Sequence, residues 1–91
     1  KARLGTVMGL RASRLYVELD VFPMEVKLYT RDLEAATGVA YTVRNDTLLT
    51  PEVAGGDAPS FRVGDGVLVV THGYDEAARR WQLVARREDD A

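Results

Sequence analysis

The chain has no cysteine and only one histidine among its 91 residues. Disulfides and thiolate-ligated zinc are therefore excluded, and so are multi-histidine metal centres and Cys/His nucleophile pairs. Long apolar stretches are missing too. The longest uninterrupted run is Val67 to Val70, far too short to span a bilayer. With 46% hydrophobic residues the chain is too apolar for a disordered segment. It is sized for one small domain with a single core. It opens Lys-Ala-Arg with no initiator methionine and no apolar leader. That start reads as a processed chain or an excised domain, with part of its function in residues outside it. The lack of cysteine fits a cytoplasmic location.

The formal net charge is only −2. A near-neutral total argues against a nucleic-acid binder, but the distribution does not. Residues 1–31 carry a net +3, residues 32–76 a net −6, residues 77–87 a net +4 and residues 88–91 a net −3. Two basic blocks thus sit at opposite ends of the sequence. If folding brings them together, one face becomes positive.

Alternation with period two dominates, and no stretch of helical length keeps an apolar stripe. Leu15, Val17 and Leu19 alternate with Tyr16 and Glu18, and a similar run begins at Gly5 and Val7. Val26 and Leu28 alternate with Lys27 and Tyr29 after the turn-rich Asp20 to Pro23. Val67, Val69 and Thr71 alternate with Leu68 and Val70, and Trp81, Leu83 and Ala85 with Gln82 and Val84. Five strands follow, joined by short loops except between about Thr30 and Ser60. In that connection Thr30 to Ala36 reads as a helical turn or two stopped by Gly38. Tyr41–Arg44 and Thr47–Thr50 flank Asn45-Asp46, a two-residue hairpin turn. Gly55 to Pro59 reads as a surface loop, Gly64-Asp65-Gly66 as a turn between strands, and 87–91 as an acidic tail beyond a domain spanning 1–86.

Five short strands with a longer, partly helical connection after the third predict an all-β fold, a five-stranded OB-fold Greek-key barrel with a short helical turn and an extra hairpin between its third and fourth strands. An SH3-like barrel is the competitor. In an OB-fold the second and third strands form the binding platform, flanked by the loops between strands one and two and between strands four and five. The platform then shows Tyr16, Glu18, Lys27 and Tyr29, because Val17, Val26 and Leu28 point inward. One loop brings Arg11 and Arg14, the other His72, Arg79 and Arg80. The nucleic-acid-binding candidates are Arg11, Arg14, Tyr16, Lys27, Tyr29, Arg79 and Arg80: aromatic faces stack on bases, while guanidinium and ammonium groups neutralise phosphates.

The individual residues carry a family resemblance. Gly5, Val7, Leu10, Leu15, Tyr16, Val17 and Leu19 resemble, without a gap, the opening of the S-one RNA-binding domain, named after the ribosomal protein in which it repeats. Residues 26–33, Val-Lys-Leu-Tyr-Thr-Arg-Asp-Leu, resemble its third strand and acidic-Leu ending, with Tyr29 where a histidine is usual. Residues 64–86 match again through Gly64, Val67, Val69, Thr71, Asp75, Arg79-Arg80, Trp81, Leu83 and Ala85. Tyr41-Thr-Val-Arg, Leu48-Leu49 and Phe61-Arg-Val-Gly-Asp resemble the extra hairpin in the carboxy-terminal S-one domain of ribonuclease II and ribonuclease R exoribonucleases. Roughly half the chain is covered. The family's first-loop aromatic is absent, with Ser13 in its place, and Thr50-Pro51 replaces a glycine of the hairpin. The resemblance implies single-stranded RNA as partner. It also implies a parent enzyme that degrades RNA from its three-prime end with Mg²⁺ held in a separate domain. The chain alone is then no enzyme and has no cofactor of its own.

Other readings of the same residues stand beside these. Tyr16 and Tyr29 also suit ordinary half-buried strand positions. Trp81 and Tyr74 fall where the family has aliphatics, and we expect both in the core. His72 is expected as a surface residue in a turn, and Arg79-Arg80 and Arg86-Arg87 also suit a solvated strand edge. The acidic 32–76 segment, with Asp46, Glu52 and Asp57, also suits a surface that docks against protein. Polynucleotide phosphorylase or a ribosome-bound factor is an alternative parent. No nucleophile with its base is present, and Glu88-Asp89-Asp90 lies where no geometry could be held.

Overall fold

A computed structural model describes residues 2–11, 14–21, 24–53 and 58–87. Eight strands and one helix follow in order: β1 (Arg3–Arg11), β2 (Arg14–Leu19), β3 (Glu25–Tyr29), α1 (Thr30–Thr37), β4 (Tyr41–Arg44), β5 (Leu48–Pro51), β6 (Phe61–Arg62), β7 (Gly66–Asp75) and β8 (Arg80–Arg87). They form a five-stranded antiparallel sheet in the order β3-β2-β1-β7-β8 and a three-stranded sheet in the order β4-β5-β6. The five strands read from the alternation are all present, so the all-β expectation holds. The larger sheet curls until β3 and β8 lie side by side, yet no ladder joins those two edges and the ring is not closed.

Alternation explains the core. Leu15, Val17 and Leu28 are fully buried, as are Val7 and Val67 from the strands on the other side. Burying each such side chain stabilises the fold by about 1.5–3 kcal/mol. Two bulges break the period. In β1 the register shifts between Val7 and Gly9, so Met8 is the extra residue and the buried positions move from Gly5 and Val7 to Leu10. In β7 the shift falls between Thr71 and Gly73, with His72 extra. Gly5 lies where three strands crowd: a Cβ there would stand 2.7 Å from Val17 Cγ1 and 2.9 Å from the Glu18 carbonyl oxygen.

α1 ends as its sequence predicts. Gly38 takes the left-handed conformation (φ 78°) and donates its N–H to the Glu34 carbonyl, while Thr37 Oγ1 donates to the Leu33 carbonyl. The helix packs on β8, β3 and β4 and buries Leu33 and Asp32. The hairpin turns where expected: Asn45 and Asp46 both have positive φ, 54° and 57°, and Thr47 N–H reaches the Arg44 carbonyl. Pairing resumes at Leu48, one residue later than the alternation suggests.

One face of the small sheet completes the core through Tyr41, Leu49 and Phe61. Tyr41 donates its hydroxyl to the Pro59 carbonyl at 2.7 Å, and burial pushes its pKa up to about 12. The turn after β6 docks on β1: Gly64 N–H donates to the Val7 carbonyl and Val7 N–H to that of Asp65. Arg87, assigned to the tail from sequence, is the last residue of β8 and pairs with Asp65. Residues 88–91, Ser13, and Gly55 to Asp57 lie outside the described residues.

Candidate nucleic-acid interface

The pairing of β2 with β3 sorts their side chains. Leu15 opposite Leu28 and Val17 opposite Val26 turn inward, so Arg14 opposite Tyr29 and Tyr16 opposite Lys27 share the outward face. β1 extends this face, with Gly9 opposite Tyr16 and Arg11 opposite Arg14. Gly9 has no side chain to shield Tyr16, and a shallow depression forms between Met8, Arg11, Tyr16 and Glu25. Arg11, Arg14 and Lys27 are exposed, while Tyr16 and Tyr29 are half-buried.

Tyr29 is the point where distant segments meet. The Cζ atom of Arg80 lies 4.6 Å from its ring centroid, that of Arg31 5.4 Å and that of Arg14 5.8 Å. Each such contact contributes about 0.5–1 kcal/mol at an exposed site. Arg14 and Arg31 come from the first basic block and Arg80 from the second. Folding therefore brings two arginines of the first block and one of the second to one ring.

Arg80 is held there from below. Its guanidinium donates Nη1–H to Asp32 Oδ2 at 2.8 Å and Nη2–H to Oδ1 at 3.2 Å, a two-pronged pair with a carboxylate that is 3% exposed. The hydrogen bond to Asp32 raises the arginine's pKa against the opposing effect of desolvation. For Arg14 the hydrogen bond to Tyr16 is the first cause of a shift in the same direction. The charge of Arg80 is thus compensated by an acid from the net-negative 32–76 segment. Its work is to fix the β7–β8 hairpin against β3 and α1. On this face, among the described residues, the cations open to a phosphate are Arg11, Arg14, Lys27 and Arg31. A ring has two faces, and Tyr29 has three guanidiniums around it, so a base reaching it must displace one or stack on a guanidinium plane.

Several expectations need correction. Trp81 and Tyr74, expected in the core, are 61% and 49% exposed. β1 pairs with β7 only up to Val69; Val70, Leu83 and Val84 still pack on the core, but the outer end of the hairpin beyond them projects past the sheet. Thr71 is exposed for the same reason. His72 lies in no turn: it is the bulged residue of β7, exposed, beside a cleft formed with Leu33, Thr37 and Val84. It does not join the platform. Arg79 sits exposed in the hairpin turn with φ 56° and is not among the cations around Tyr29. Arg86 borders the His72 cleft, and Arg87 reaches Asp65 and the Ser60 carbonyl, so the second basic block is divided along β8.

Sequence reasoning missed Arg31 and Asp32 as parts of this cluster. Their one signal was position, directly after the strand that carries Tyr29. Among the described residues no three His, Asp or Glu side chains come together as a metal site, and no helix is long and apolar enough to cross a membrane. No protein-family model matches the chain, and no curated protein matches it.

Proposed function

We propose that this chain binds single-stranded RNA as an S-one-type OB-fold domain, and that it serves as the carboxy-terminal clamp of a ribonuclease II/R-type exoribonuclease. The observation carrying the reading is the meeting of Arg14, Arg31 and Arg80 at Tyr29, on a face that also presents Tyr16, Lys27 and Arg11. The strand order β3-β2-β1-β7-β8, with a helix after β3, supports the OB-fold, an architecture that is itself partly open. The insertion of β4 and β5 before Phe61 supports the subfamily. In this reading Arg11, Arg14, Lys27 and Arg31 neutralise phosphates, Tyr16 stacks on a base, and Arg80 positions the hairpin. Hydrolysis and its Mg²⁺ belong to a catalytic domain outside the chain.

Fluorescence anisotropy with labelled oligo-uridine tests the proposal. Four neutralised phosphates give a salt slope of about −2.8 for a single strand, so affinity should fall ~50-fold between 50 and 200 mM salt. Arg14→Ala should weaken binding and make the slope shallower by about 0.7. Absence of binding at 50 mM salt, or binding indifferent to salt, would overturn the reading.

A further inference from the structure

We infer that Gly9 keeps open a seat for one nucleobase beside Tyr16, and that Glu25 makes this seat prefer guanine. The inference rests on the RNA-binding reading above and adds to it a base preference which that reading does not contain.

The fold itself does not require a glycine at position 9. Glycine is needed where the backbone takes a positive φ or where another segment crowds the Cα. Neither condition holds: Gly9 has no positive φ, and a Cβ built on it would meet nothing within 4 Å. Gly5 of the same strand is the opposite case, with Val17 Cγ1 only 2.7 Å from such a Cβ. A glycine inside a strand forfeits packing and entropy, and where neither strain nor crowding demands it, it marks a surface that a ligand approaches closely. What Gly9 leaves uncovered is Tyr16, its direct partner on β2.

The bulge of β1 shapes the same place. Met8 is the extra residue, and it stands at the rim with 52% of its surface exposed. Met8, Gly9, Arg11, Tyr16 and Glu25 surround a depression of about 300 Å³, the lower end of ligand-pocket sizes. An aromatic ring, an adaptable thioether and a guanidinium there suit a flat base and its phosphate. The cation contacts to an aromatic ring among the described residues all fall on Tyr29, so Tyr16 is the ring of the platform without a guanidinium over it.

Glu25 supplies the preference. It precedes Lys27 by two positions on the outward face of β3, which places it diagonally across from Tyr16 at the edge of the depression. It forms no ion pair among the described residues. Directly opposite it stands Glu18, also exposed, and like charges in that position work against the sheet rather than for it. A carboxylate only accepts hydrogen bonds. Among unstacked bases, guanine offers it two donors side by side, N1–H and the 2-amino group, which suit a two-pronged bond to an ionised acceptor. Adenine and cytosine each offer one amino group. Uracil offers one N3–H between two carbonyl oxygens, and those repel the acid.

The 91-residue chain is titrated at 50 mM salt with a labelled uridine dodecamer and with the same RNA carrying one internal guanosine or one inosine. By fluorescence anisotropy the guanosine RNA should bind at least about fivefold tighter than the uridine RNA, the lower end for a bidentate base contact. Inosine, which lacks the 2-amino group, should lose most of that gain. Glu25→Ala should bring the guanosine-to-uridine ratio to about one. Gly9→Val fills the depression and should weaken binding of the guanosine RNA about fivefold or more, the effect of a lost base stack, without lowering the melting temperature. If valine disturbs the bulge and the melting temperature falls, Gly9→Ala, whose methyl group enters empty space, should still weaken binding at native stability. Equal affinity for the guanosine and uridine RNAs, or native affinity in both Gly9 variants, would overturn the seat and leave the platform reading standing. A guanosine gain that survives Glu25→Ala would overturn the role of Glu25. No binding of any of these RNAs would remove the platform reading and the seat with it.

Discussion

β8 carries an arginine paired with an aspartate at each end, and the two pairs differ in depth. At its start, Arg80 grips Asp32 with two hydrogen bonds of 2.8 and 3.2 Å, the side chains being 24% and 3% exposed. At its end, Arg87 touches Asp65 through one contact of 3.2 Å, with exposures of 39% and 23%. The first pair spans an edge where no backbone ladder exists; the second lies where packing and backbone bonds already hold the 59–65 segment to the sheet. Identical chemistry therefore serves as a clasp in one place and as trim in the other. Burial and the lack of alternative links decide which.

Asp32→Ala is the sharpest way to break this comparison. It leaves Arg80 half-shielded without its carboxylate and should cost about 2 kcal/mol in urea unfolding, less than for a fully enclosed pair because the arginine can turn toward water. A loss below about 0.5 kcal/mol, the range of an exposed pair, would erase the distinction. Tyr41→Phe probes the other end of the strand, where Tyr41 and Arg87 reach neighbouring carbonyls at Pro59 and Ser60. Loss of that hydrogen bond should cost about 1 kcal/mol.

The same tyrosine sets an alkaline limit. Its folded pKa of about 12 lies above the unfolded value of 10.0. The stability it supplies is therefore complete below pH 10 and is lost as pH rises toward about 12. Urea titrations across that window should show the decline in the native chain and a smaller one in the Phe variant. The smallest effect is expected from Arg87→Met, about 0.5 kcal/mol; a cost equal to that of Asp32→Ala would make the two ends equivalent.

The comparison also marks what the sequence made legible. Leu15, Val17 and Leu28 announced their strands because a half-buried strand repeats every two residues. Gly38 and Asn45-Asp46 announced their turns because few residues tolerate positive φ. The partnership of Asp32 with Arg80 left no such trace, since it joins positions 48 apart through a fold that local pattern does not specify. β6 escaped because two residues cannot display a period, although Phe61 is wholly buried. Trp81 and Tyr74 were misplaced because a resemblance to positions that are aliphatic in a family does not tell whether this chain covers that side of its own hairpin. Of the RNA-binding candidates, Arg14, Tyr29 and Arg80 come together, with Arg11, Tyr16 and Lys27 on the adjoining surface, while Arg79 stands apart.

The unlaced edge between β3 and β8 has a consequence for motion. Amide protons on the outer side of β3 have no hydrogen-bonded ladder to shelter them, whereas those of β2 are paired on both flanks with β1 and β3. In heavy water the former swap for deuterium well before the latter. The molecule thus has a built-in line along which it can breathe without melting its centre, and that line runs beside the tyrosine on which its arginines gather.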